Sequence, residues 1–279
     1  MRFSDVILSA LGQIRANKLR SFFTLLGVIV SVTFLVAVVA IIQGMNAYVK
    51  ENVAGAIIGA NAFQIRRTPI NFAQFSDNDW RRAQRRPKIS PEDAAVIMEA
   101  IPDAVAISLQ SGWPTPQADV VWGNRSLGDA LILGVTPAYQ TVQDYRIASG
   151  RPLTDLDVAE RRAVVVIGSQ IAETLFENIE PVGRQIRILG EQFEIVGVNA
   201  RKGRVLGQSF DGFVLMPINR FEMLYGRRNT TTISVKMANA ADVAPAMLRA
   251  EEALRVGRRL RPAEENNFSI ETSDALVEF

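Results

Sequence analysis

Twenty-one consecutive residues, Phe22 to Ile42 (FFTLLGVIVSVTFLVAVVAII), carry no charge, and their only polar side chains are Thr24, Ser31 and Thr33. About twenty apolar residues are needed to cross the hydrocarbon core of a bilayer. Serine and threonine hydroxyls can bond back to carbonyls of their own helix, so these three do not oppose insertion. Each central Leu, Ile, Val or Phe favours insertion by roughly 0.3–0.6 kcal/mol. A helix of this length that is apolar on every face is a poor core helix for a soluble protein. The run, with Phe22 and Ile42 at its ends and Gly27 between them, therefore predicts a membrane span over 21–43.

The flanks orient it. Arg15, Lys18 and Arg20 crowd the N-terminal side, whereas Gln43-Gly44-Met45-Asn46 follows without charge. The positive-inside rule then puts the N-terminus in the cytoplasm and residues 44–279 outside it. A cleaved signal is a worse fit: its apolar core is shorter, and Ala60-Asn61-Ala62, the candidate cleavage site, lies far behind. Before the span, Phe3, Val6, Ile7, Ala10, Leu11 and Ile14 repeat at helical spacing. Phe3, Ile7, Leu11 and Ile14 are thus expected on the apolar stripe of an interfacial elbow helix over 1–20.

Composition removes most chemistry. The chain of 279 residues has no cysteine and no histidine, which excludes thiol nucleophiles, disulfides, Cys/His zinc sites and histidine-dependent triads. A net charge of +2 is small for a nucleic-acid binder. The basic stretch around Trp80-Arg81-Arg82 and Arg85-Arg86 is read as a solvated helix or loop edge, and no nucleic acid is expected as a partner. No phosphate-binding glycine loop occurs. Asp155, Asp157 and Glu160 in TDLDVAE lack the ligand order and central glycine of a calcium loop, so they read as a solvated turn. Ser169 after Gly168 has no histidine to activate it. Catalytic, cofactor and metal residues are accordingly expected to be none.

After the span the pattern mixes α and β. Strands are expected at Ala62–Arg66, Asp129–Val135, Ala163–Ile167, Gly212–Met216, Thr231–Lys236 and Phe268–Glu271. A hairpin is expected to join Gln185–Leu189 and Phe193–Val198 around Gly190-Glu191. Ser90-Pro91-Glu92-Asp93 has the cap, proline and acids of a helix start, and helices are also expected at Ser169–Phe176, Asn219–Leu224 and Ala240–Val256. Gly183 and Gly197 flank the hairpin strands at corners where glycine permits positive φ or close approach. Pro217 suits the end of a strand. The fold class is α+β: one N-terminal transmembrane helix, then a two-lobed outer domain.

The segment ALGQIRANKLRSFFTLLGVIVSVTFLVAVVAIIQGMN resembles the opening of MacB-type ABC transporter permeases, in which a basic NKLRS precedes a T-x-L-G span. GVTPAYQ, SGRPLTDLD, AVVVIGSQIAETLF, PVGRQIRILGEQFEIVGV and DGFVLMPINRF resemble that family's periplasmic core in order. Glu177 departs from it, standing where the family usually has glycine. The resemblance implies a porter-like α/β lobe built from both ends of the outer region and an inserted β-rich lobe over about 115–221. It implies an inner-membrane mechanotransmitter for efflux or for lipoprotein or peptide export, not an enzyme. Its partners would be an ABC ATPase subunit, a second permease copy and a periplasmic adaptor protein. A capped helix start at Ser273, with Ala275, Leu276 and Phe279 opening a stripe, adds the expectation of a permease truncated before its next span. The alternative is a single-span membrane adaptor or receptor whose outer domain binds a ligand or cell-wall enzyme.

Overall fold

The computed structural model describes residues 17–48, 59–69, 77–113, 115–177, 179–205, 208–209, 211–226 and 230–272. The first unit is the helix α1 (Lys18–Tyr48), the one described helix long and apolar enough to cross a membrane. At 1.5 Å per residue its 31 residues extend about 46 Å. Its apolar side chains point outward all round, with Phe34 70% exposed and Phe22 58%. Thr24 Oγ1 donates to Arg20 O (3.0 Å) and Ser31 Oγ to Gly27 O (2.8 Å), so these hydroxyls are satisfied within the helix. Phe3, Ile7, Leu11 and Ile14 lie outside the described residues.

The second unit begins with β1 (Ala62–Arg66), α2 (Asp77–Arg85), α3 (Pro91–Ala100), β2 (Ala106–Trp113), β3 (Gln117–Trp122) and β4 (Arg125–Val135). It continues through α4 (Ala138–Val142), β5 (Ile147–Gly150), α5 (Asp155–Ala159), β6 (Val164–Ile167), α6 (Ser169–Phe176), β7 (Gln185–Ile188) and β8 (Glu191–Asn199). The short pair β9 (Arg204–Val205) and β10 (Gln208–Ser209) follows, then β11 (Phe213–Pro217), α7 (Ile218–Tyr225), β12 (Thr230–Lys236), α8 (Ala240–Gly257) and β13 (Ser269–Thr272).

Local chemistry sets many of these boundaries. Ser90 caps α3 in a capping box: its hydroxyl accepts from Asp93 N, and Ser90 N donates to the Asp93 carboxylate. Arg258, past the end of α8, grips the same carboxylate at 2.7 and 3.0 Å and holds the two helices together. The β7–β8 hairpin turns through Leu189 (φ 50°) and Gly190 (φ 86°). The turn residues are therefore 189–190, one earlier than expected, because a two-residue hairpin turn of this hand needs positive φ at both central positions.

Eleven strands form one sheet in the order β11-β6-β8-β7-β3-β4-β2-β12-β1-β13, with β5 on β8. Strand β11 also pairs in parallel with β4, so β11, β6, β8, β7, β3 and β4 close on themselves. Closure removes the exposed edges of this half. Strands β6 and β11 are unbroken apolar runs rather than alternating ones because both of their faces are buried. Val165, Ile167, Val214 and Met216 face one core with α6, while Val164, Val166, Phe213 and Leu215 face another. The other half, β2-β12-β1-β13, packs Phe63, Ile65, Ile233, Val235 and Leu109 against α3 and α8 in a third core.

Two readings of the sequence are corrected here. TDLDVAE is not a solvated turn. It forms α5 with Asp157 fully buried, since Thr154 and Asp157 make a capping box and two arginines neutralise the carboxylate. Strands β2, β3 and β5 and the short helix α4 were not expected. In β2 and α4, polar residues such as Ser108, Gln110 and Gln140 lie on faces that the fold buries, whereas β3 alternates exposed Gln117 and Asp119 with buried Ala118 and Val120 and β5 is only four residues long.

Candidate functional site

The second unit is held at Gly59, eleven positions after the end of α1, by a clamp. Gly59 has φ +88°, and a Cβ there would lie 2.0 Å from Val142 O. Ala60 N donates to Asp144 Oδ2 at 3.0 Å, and Lys236 Nζ donates to Asp144 Oδ1 at 2.5 Å. Met237 N donates to Asn61 O and Asn61 Nδ2 to Ala238 O, so the entering strand is tied to β12 as well. One carboxylate thus joins the incoming chain, the end of α4 and the end of β12.

The same short stretch reaches into the closed half. Gln140 Nε2 donates to Asn199 Oδ1 (3.1 Å), and Leu153 N donates to Gln140 Oε1. Lys202 Nζ donates to Gln143 O at 2.6 Å and lies 4.0 Å above the Tyr145 ring. Asp211 accepts from Lys202 N and Gly203 N. Burial pulls the Lys202 ammonium down to about 8, only partly offset by Asp144 and Asp211, with Lys236 adding to the fall. Burial drives the Tyr139 and Tyr145 hydroxyls well above their usual range.

A second tie is α7. Ile218 lies in the core shared with α3 and α8, while Phe221, three positions on, lies in the core of the closed half. Phe221 fits because Gly134 and Gly112 leave room: a Cβ on either would approach its side chain to 2.3 or 2.5 Å. Pro217 ends β11 and precedes α7 directly, so the strand's end and the helix's start fall on one residue. Gly183 stands in the turn before β7 at φ +80°, with its N–H on Ile195 O. Gly197 is needed for close approach: a Cβ there would lie 2.2 Å from Arg151 O.

Arg151 in turn grips Asp157 with two bonds of 2.7 and 3.1 Å, and Arg162 adds a third contact. Burial opposes the charge on Asp157, yet hydrogen bonds from Arg151 and Thr154 hold its carboxyl well below the ordinary range. The SGRPLTDLD segment is thereby a structural corner rather than a site of chemistry.

An open groove of about 310 Å³ is lined by Ser149, Glu173, Glu177 and Glu180 among others. Arg201 pairs with Glu173, Arg125 with Glu177, and Ser149 Oγ donates to Glu180. Among the described residues no cluster of acids is placed to hold a metal. Ser169 opens α6 with its hydroxyl buried.

Both ends of the domain meet at one edge. Strand β1 starts at Ala62 and β13 finishes at Thr272, and the two are antiparallel neighbours with Phe63 opposite Thr272. Sequence reasoning placed these strands but not their pairing, and it missed Asp144, Lys202 and Gln140. The signal available for Gln140 and Asp144 was the mostly polar stretch Gln140-Thr141-Val142-Gln143-Asp144, and no local signal marked Lys202.

Comparison with known proteins agrees with this architecture. Residues 21–253 match the family model for the MacB-like periplasmic core domain. The macrolide export ATP-binding/permease protein MacB of Rhodopirellula baltica is 28% identical over 246 residues, covering 87% of this chain and 34% of that one. The protein of the same name from Aggregatibacter actinomycetemcomitans is 30% identical over 189 residues, covering 68% and 27%. The uncharacterized ABC transporter permease YknZ of Bacillus subtilis is 26% identical over 244 residues, covering 87% and 58%. The chain thus spans between about a quarter and three-fifths of the length of these relatives. Among solved structures, the periplasmic region of MacB from Actinobacillus actinomycetemcomitans superposes with a TM-score of 0.61 at 21% identity, covering 81% of this chain and 94% of that one. The extracellular domain of the ABC-type transporter YknZ gives 0.57 at 18% identity, covering 76% and 100%.

Proposed function

The chain belongs to the family of MacB-like periplasmic core domains, and from that premise we propose that it is the membrane-anchored outer part of an ABC permease that transmits movement. In this reading an ABC ATPase, fused or separate, hydrolyses ATP in the cytoplasm. The permease, paired with a second copy, carries the resulting motion outward to a periplasmic adaptor or to cargo for efflux or for lipoprotein or peptide export. The N-terminus lies in the cytoplasm, with an elbow over 1–20, a span over 21–43 and the outer domain over 44–279. The inserted lobe runs over about 115–221, in keeping with the division of the apolar cores.

The pairing of Phe63 with Thr272 carries the reading. A domain whose two ends leave side by side at one sheet edge suits a body raised on two adjacent legs. A shift of the leg entering at Gly59 would be passed through Asp144 to α4 and to β12 together.

The absence of cysteine makes the test direct. Single cysteines are placed at Lys18 and at exposed Asn239, and intact cells are treated with an impermeant maleimide. The Asn239→Cys chain should be labelled and the Lys18→Cys chain protected until the membrane is opened. The full chain, purified in mild detergent from its own membranes, should carry an ATP-hydrolysing ABC subunit with it. Reversed labelling would overturn the orientation, and purification without an ATPase would overturn the transporter reading.

A further inference from the structure

The β1-β12-β2 part of the sheet has two unlike faces. One carries Phe63, Ile65, Ile233 and Val235 into an apolar core. On the other, the register sets Gln64 opposite Ser234 and Ser234 opposite Ser108 in a single row across three strands. All three are at most 1% exposed. This face is covered by α4, which packs against β2 and β12.

The position of α4 along the strands can be read from its ends. Tyr139 lies within electrostatic range of Arg66, one same-face row beyond Gln64. Asp144, just past α4, binds Lys236, one same-face row before Ser234. The middle of α4 and the following Gln143 therefore lie over the row of Gln64, Ser234 and Ser108. Gln143 is itself 1% exposed.

Gln64 Nε2, Ser234 Oγ, Ser108 Oγ and Gln143 Nε2 have no hydrogen-bond partner among the described residues. These are four of the eight such side-chain atoms in the described part of the molecule, gathered from both walls of one seam. Leaving a buried donor or acceptor unmade costs about 1–3 kcal/mol each, so four together at one place call for a ligand. The amide nitrogens only donate, and the hydroxyls both donate and accept. The buried Arg66 guanidinium one row away already donates to Gln64 Oε1, and none of the four unmade groups titrates, so the fitting ligand is neutral, small, and both donor and acceptor.

We infer that the seam between α4 and the β1-β12-β2 face is a built hydration site, holding ordered water that bridges Gln64, Ser108, Ser234 and Gln143. Buried water of this kind makes two to four hydrogen bonds to groups that would otherwise be unsatisfied, and four convergent groups meet that requirement. A wet seam also differs mechanically from the dry cores on either side, because water bonds can be exchanged without opening apolar surface to solvent. The inference stands whether or not the domain transmits movement.

Two measurements on the full chain test it. In the thermal unfolding of Ser108→Ala and Ser234→Ala, a hydrated hydroxyl is a lost bond and the midpoint falls by about 2–4 °C in each variant. An unsatisfied hydroxyl in a dry seam is instead a relieved penalty, so a rise in both variants would overturn the proposal. A high-resolution crystal structure supplies the independent check. Solvent density at about 2.7–3.0 Å from both serine Oγ atoms is the expected result. Density showing both hydroxyls packed only against carbon, or turned onto main-chain carbonyls, would refute it.

Discussion

Gly134 lies directly against Phe221, so close that a Cβ on the glycine would sit 2.3 Å from the phenylalanine Cβ and 2.4 Å from its Cγ. Gly134 pairs with Ser111 where β4 meets β2, at the crossing between the closed half of the sheet and the open one. The ring of Phe221 reaches the core of the closed half only because the strand there has no side chain. Gly134→Ala should therefore destabilise the second unit by about 1–3 kcal/mol through overpacking. Phe221→Ala should cost about 3–5 kcal/mol through the cavity it leaves. In the double variant the clash is gone, so its loss should fall below the sum of the two single losses. Denaturant unfolding of all three variants checks this, and strict additivity would count against the contact.

Asp157 offers a test at acid pH. Its carboxyl is fully buried and held below the ordinary range by Arg151 and Thr154 despite the opposing effect of burial. A depressed folded pKa means that the unfolded chain binds the proton first. The stabilisation is complete above the unfolded aspartate value and is lost as pH falls below about 4. Asp157→Asn keeps the shape but removes the charge, and should cost about 1.5–3 kcal/mol at neutral pH. The variant should also lose part of the acid sensitivity of the parent, which a series of melts between pH 3 and pH 7 would reveal.

Much of this architecture is written in local signals. The α1 run is apolar without interruption, and the Ser90-Pro91-Glu92-Asp93 start of α3 forms the capping box its residues suggest. Strands β6 and β11 of the closed half are legible as apolar runs because both of their faces are buried. What escaped was the polar part. Gln64, Ser108, Gln110, Thr232 and Ser234 occupy a buried face, so in β2 the apolar Ile107 and Leu109 alternate with polar residues that are buried as well. The Asp144 clamp joins positions 84 and 92 residues apart, a relation that no local spacing can encode. Asp157 was misread for the related reason that the arginine gripping it most tightly, Arg151, lies outside the acidic motif itself.

Lys202 makes the opposite prediction to Asp157, on the alkaline side. Burial lowers its folded pKa to about 8, below the value of an exposed lysine. Between pH 8 and pH 10 the unfolded chain thus binds more protons than the folded one, and stability should rise with pH. The rise should stop near pH 10, where Tyr139 and Tyr145 begin to act. Burial raises their folded pKa values, so above pH 10 the unfolded chain loses protons first and stability declines. Melting midpoints across pH 7–11 should therefore pass through a maximum near pH 10. In Lys202→Met the rising limb should flatten while the decline persists. An unchanged rising limb would show that Lys202 is ordinary.

The clamp at the entrance to the domain can be tested without knowing any cargo. Asp144 Oδ2 accepts from Ala60 N, a main-chain amide in the segment that follows α1, while Oδ1 accepts from Lys236. A hydrogen bond to a charged group contributes about 1.5–3 kcal/mol, and each 1.4 kcal/mol is a factor of ten in an equilibrium constant. In Asp144→Ala the Ala60 amide should consequently exchange with solvent about ten-fold faster or more. In Lys236→Met the carboxylate remains, so Ala60 should keep most of its protection although the link to β12 is cut. That ordering separates an acceptor role for Asp144 from a mere charge pair, which both variants would abolish alike. Hydrogen exchange of the full chain in detergent, read on peptides covering residues 59–66, gives the comparison. The global midpoint should move little, because Asp144 is half-exposed and its bonds are local. Equal protection of Ala60 in the parent and in Asp144→Ala would show that the entering chain is held by something other than this carboxylate.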